Sequence, residues 1–131
     1  MIRTIAIGGV ECRFKSSAAI PRMYRMKFGR DIFVDMQKIQ KQVEIQKRLR
    51  EETEEEPEEE IGSQIPIESL EMFENIAYLM HKHGDKDQPQ DIDEWLEQFE
   101  TFDIYEVLPE IMEMWKAENR QTSTAKKKSG K

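Results

Sequence analysis

The sequence predicts a mainly α-helical protein with an N-terminal β-hairpin followed by four to five helices. Three observations lead there. A Gly8-Gly9 pair sits between two short segments near the start. Apolar residues after position 30 recur at spacings of three and four. The run "EETEEEPEEE", residues 51–60, then divides a basic first half from an acidic second half.

The hairpin comes first. "RTIAI" and "VECRF" flank Gly8-Gly9, which tolerates the positive φ of a tight two-residue turn. With the turn there, Ile7 faces Val10 and Ile5 faces Cys12 on one apolar side, while Thr4, Ala6, Glu11 and Arg13 share the polar side. A lone hairpin is marginal in water, so the apolar side must lie on helices or on another chain.

Ser16 or Ser17 can cap a first helix running to about Phe28, with Pro21 tolerable only in its first turn. Gly29 has the character of a left-handed C-terminal glycine. Asp31 is the natural N-cap of a second helix over about 32–51, and Asp35 adds negative charge to its first turns. Ile32, Met36, Ile39 and Val43 form its apolar stripe. Eight glutamates and Pro57 make 51–60 a linker. A third helix spans about 67–82 between Pro66 and Gly84, with Ile67, Leu70, Phe73, Ile76, Ala77 and Met80 on one face. Asp91 and Glu94 resemble a capping box that starts the short helix "IDEWLEQF". A last helix covers about 103–118, capped by Asp103, with Pro109 kinking it or restarting it. Four regions result: a hairpin plus two-helix basic half (1–50), a flexible acidic linker (51–61), an acidic helical half (62–118) and a disordered basic tail (119–131).

The net charge of −7 conceals strong segregation. Residues 1–50 hold twelve Lys/Arg against four Asp/Glu, residues 61–118 three against fifteen, and the last thirteen residues five cations and no acid. Such asymmetry governs association rather than fold. No long apolar run indicates a membrane span or an export signal, and the single cysteine, Cys12, excludes an internal disulfide and suits a reducing compartment.

Chemical motifs are sparse. "HKHGDKD" gathers two His and two Asp, but His81 and His83 are two apart and point to different helix faces. The calcium-loop pattern fails too, since the sixth position from Asp85 is Gln90 and the twelfth is Leu96. That segment therefore reads as a solvated helix end, and no metal or cofactor is expected. Glu94, Glu97, Asp103, Glu106 and Glu110 fall between apolar positions, as on a solvated helix face, so no catalytic residue is assigned. Cys12 reads as a small buried hydrophobe. Residues 13–30 mix Arg13, Lys15, Arg22, Arg25, Lys27 and Arg30 with Tyr24 and Phe28, which suggests a small DNA-binding regulator as the alternative function. Against it, the end of the second helix that would meet DNA is "DIFVD", with two acids and three apolar residues.

Four blocks carry a resemblance. "YRMKFGRDIFVDM", "AYLMHKHGD", "DIDEWLEQFE" and "DIYEVLPEIMEMW" resemble the tail assembly chaperones of long-tailed bacteriophages and prophages. The resemblance covers most of residues 1–118. It implies a non-enzymatic protein that holds the helical tape measure protein and helps tail tube protein polymerise around it. The family works in the host cytoplasm and is absent from the mature virion. It also implies a longer product made by programmed frameshift, for which codons of Lys126, Lys127 and Lys128 are the candidate slippery run. The corner of Tyr24, Met26, Phe28 and Arg30 is then the expected partner-binding site, the alternative being that Arg30 and Asp31 only stabilise the corner. Self-association through the oppositely charged halves is a further expectation, with membrane and nucleic acid not expected as partners.

Overall fold

The structure, a computed structural model, describes residues 1–53 and 65–129. Two antiparallel strands, β1 (Ile2–Ile7) and β2 (Val10–Lys15), precede five helices: α1 (Ala19–Phe28), α2 (Ile32–Thr53), α3 (Ile67–Gly84), α4 (Ile92–Glu97) and α5 (Ile104–Ser129).

The hairpin has the register the turn demands. Ile5 pairs with Cys12 and Ile7 with Val10, around Gly8 and Gly9 at φ 56° and 85°. Ile5, Ile7, Cys12 and Phe14 are buried, while Thr4, Ala6, Glu11 and Arg13 face solvent. The inward side rests on α3 and α5. Phe14 stacks on His81 of α3 with ring centroids 5.4 Å apart, and Arg3 reaches Glu110 of α5 at 2.7 Å and Glu113 at 3.1 Å.

Helix α3 is the centre of the molecule. Its residues 76–81 are buried consecutively, so it is covered on all sides rather than along one stripe. Ile67, expected on the apolar face, is 75% exposed, because the first turn precedes the part that other elements enclose. Gly84 ends α3 for a packing reason: a Cβ there would collide with the backbone of Arg13 in β2. One hydrophobic core joins residues from both charge halves, from Ile5 and Tyr24 to Trp95 and Trp115, and the hairpin and α2 both pack against α3. The halves that the sequence separates by charge are thus a single packing unit.

Two boundaries differ from expectation. Residues 51–53 still belong to α2, and the remainder of the acidic linker lies outside the described residues. Helix α5 passes through Pro109 without ending and continues to Ser129, so 119–129, expected to be irregular, is helical. After Pro109 the segment has neither Gly nor Pro until Gly130, and its four Lys and three Glu are good helix formers, which favours continuation. Among the described residues no helix is long and apolar enough to cross a membrane.

Candidate functional site

The α1–α2 corner is built by local rules. Gly29, at φ 67° and ψ 28°, ends α1 in the left-handed conformation and donates its N–H to the Arg25 carbonyl at 2.8 Å. Asp31 caps α2, its Oδ1 accepting from the N–H of Phe33 at 2.8 Å. The turn between them aims three side chains at one point. The Tyr24 hydroxyl donates to Asp35 Oδ2 at 2.7 Å, Arg30 Nε donates to the same oxygen at 2.7 Å, and Arg30 Nη2 donates to Oδ1 at 3.0 Å. Arg30 also approaches Glu68 at the start of α3, at 3.5 Å.

Asp35 is the hub, with a side chain only 2% exposed. Burial alone would raise its carboxyl, but the hydrogen bonds from Arg30 and Tyr24 outweigh that and hold it below the usual carboxylate range. Burial, reinforced by the Asp35 carboxylate, pushes the Tyr24 phenol up, and the Asp35 hydrogen bonds raise Arg30. The Tyr24 hydroxyl and Arg30 Nε and Nη2 thus converge on one carboxylate, Arg30 in the bidentate geometry that suits arginine.

This places the four expected partner-binding residues in different roles. Tyr24 is fully buried and Phe28 is half-buried against it, their ring centroids 5.1 Å apart. Neither presents a free ring. Arg30 is partly exposed but engaged with Asp35 and Glu68. Only Met26, 69% exposed, is open to a partner. Asp35 does add negative charge to the first turn of α2, as expected, and it is also the buried acceptor of the corner. The sequence signal was present: Asp35 adjoins Met36 and lies one turn before Ile39, on the side that faces the core.

A second lock joins α3 to α4. Trp95, fully buried, donates its indole N–H to His81 Nδ1 at 2.9 Å and packs edge-on against Tyr78, Phe99 and Phe102. Asp91 caps α4 by accepting from the Glu94 N–H at 3.3 Å. His81 is 4% exposed, so the expected solvated helix end is corrected: β2 and α4 cover it. Burial lowers its pKa, opposed by Asp85. His83 lies within 3.1 Å of the Ser17 hydroxyl, tying α3 to the start of α1. Cys12 is buried, and that burial pushes its thiol up to about 11, so a reactive thiolate is not populated near neutral pH. Among the described residues no group of three or more His, Cys, Asp or Glu side chains is placed to hold a metal ion.

A groove of about 260 Å³ lies between α2 and α5. Val43, Leu108, Pro109 and Met112 supply its apolar lining, and Glu44, Lys47, Glu113 and Lys116 bring charges of both signs. Sequence reading missed it because its lining comes from two distant stripes, 40–47 and 108–116, which only the packing of α2 and α5 on α3 brings together. Compared with protein-family models, curated proteins and solved structures, the chain matches none.

Proposed function

We propose that this chain is a phage tail assembly chaperone, a non-enzymatic protein that binds the tape measure protein and promotes tail tube polymerisation around it. The observation that carries the reading is the α2–α5 groove, where Val43, Leu108, Pro109 and Met112 form an apolar patch bounded by charged residues of both signs. A long helical client exposes apolar stripes that aggregate until a tube encloses them. A groove between two helices receives side chains from such a stripe, and its small size keeps each contact weak enough for tube subunits to displace. The four sequence blocks that resemble the family support the same reading. It carries with it a host-cytoplasmic location, absence from the mature virion and a frameshifted longer product bearing the tube-protein contact.

The test is co-expression with the tape measure protein of the same genome, sought as a very long helical reading frame just downstream. A rise in its soluble yield and a co-eluting complex are expected; unchanged yield with no complex refutes the reading. Mass spectrometry of the chain made from its native gene tests the longer product.

A small DNA-binding regulator is the second reading, favoured by the exposed cations Arg22, Arg25, Lys38 and Lys41 on α1 and α2. It predicts a retarded duplex whose affinity falls steeply with salt, and the absence of binding at low salt ends it. The burial of Tyr24 weighs against it, since that ring is then unavailable for stacking on a base.

A further inference from the structure

We propose that the outward face of α2 is a second docking surface, shaped for an acidic amphipathic helix. Val34, Ile45 and Leu49 are 45%, 37% and 47% exposed. At about 100° per residue they fall within roughly 60° of one another. They lie opposite the buried Ile32, Met36, Ile39 and Val43. Lys38, Lys41 and Arg48, all exposed, complete the same strip. The positions 34, 38, 41, 45 and 48 alternate spacings of four and three, which is the seam of a coiled coil written on a side of the helix that the described residues leave exposed.

The chemistry of the seam selects its occupant. Aliphatic side chains stand at 34, 45 and 49, and cations at 38, 41 and 48. None of these cations forms an ion pair with another described residue. A helix that fits must bring apolar side chains opposite the first set and carboxylates opposite the second. Two lysines at seam positions are costly in a coiled coil without such carboxylates, so they specify the partner as well as bind it. A lipid surface fits less well: cations interrupt the strip in its middle, and the chain is −7 overall. Duplex DNA fits less well because three aliphatics would face phosphates. This surface lies apart from the α2–α5 groove, so it does not depend on the tape measure protein being the groove's occupant.

The experiment uses the full chain and two synthetic three-heptad helices, alike except that one carries Glu and the other Lys where they would face Lys38, Lys41 and Arg48. The Glu helix should bind at least about tenfold more tightly at low salt, the advantage shrinking as salt rises. The double substitution Lys38→Glu with Lys41→Glu should invert the preference, and Ile45→Ser with Leu49→Ser should weaken both helices, each with an unchanged circular dichroism spectrum. Equal binding of the two helices, or a preference that survives the charge reversal, overturns the proposal. So does binding to vesicles containing phosphatidylserine, or to duplex DNA, that is stronger than to the Glu helix and is lost in the same variants.

Discussion

The first turn of α2 and the turns that follow it share one helix and one hydrophobic stripe, yet their polar residues do opposite things. In the first turn, Asp35 is buried and draws Tyr24 and Arg30 into a closed network. Further along, Lys38, Lys41 and Arg48 point outward between exposed aliphatics. Buried polar groups are costly unless satisfied, so the corner specifies one geometry and leaves little for a partner. Exposed aliphatics contribute little to the fold and are available for binding. The difference teaches that the most distinctive stretch of this chain, "YRMKFGRDIFVDM", mainly builds the corner, while the plainer "KIQKQVEIQKRL" carries the open surfaces.

The comparison can be broken most directly at the corner. Asp35→Ala strips the acceptor from Tyr24 and Arg30 and should cost about 3 kcal/mol, read by denaturant unfolding. A loss under about 0.5 kcal/mol would mean the network is ornamental, as at an exposed ion pair. Next in size is Gly84→Ala, which drives a methyl group into the β2 backbone at Arg13 and should cost about 2 kcal/mol through displacement of the hairpin from α3.

A gentler effect comes from pH. The His81 pKa is lowered by burial in the fold, so between its ordinary value of 6.5 and the folded value the unfolded chain binds the proton and the folded chain does not. Stability is therefore full above that ordinary value and is lost as pH falls below it. His83 shifts in the same direction, by burial and then by nearby Lys15 and Lys86. Melting temperature should fall from pH 7 to pH 5, and His81→Gln should reduce that slope while still offering Trp95 an acceptor; an unaltered slope would remove His81 from the account. Asp35 adds a separate loss in stronger acid, because its carboxyl is held below 3.8 in the fold. The smallest effect is expected on the open face. Ile45→Ser with Leu49→Ser should change stability by less than about 0.5 kcal/mol each. If it destabilises as strongly as Asp35→Ala, the face is part of the fold and the contrast between the two stretches fails.

The sequence made much of the fold legible because local signals dominate there. Gly8-Gly9 dictated the hairpin register, Gly29 the end of α1, and Asp31, Asp91 and Asp103 the starts of three helices. The corner network was only half legible: Tyr24, Arg30 and Asp35 were all visible, but their meeting depends on the crossing of α1 and α2. His81 misled because a histidine near a helix end with a following Gly-Asp usually faces water, and nothing local announces that Phe14 and Trp95 enclose it. The groove was illegible, since no spacing within one segment reports that α2 and α5 lie side by side.

Soluble yield of the tape measure protein, co-expressed with the wild-type chain and with a groove variant, tests the central claim most directly. Met112→Glu alters one half-buried residue of the groove lining and leaves the corner intact. A holder acting through this groove should raise the yield as wild type and fail as Met112→Glu, with both chains equally folded. A yield that the wild-type chain does not raise, or that the variant raises equally, contradicts it.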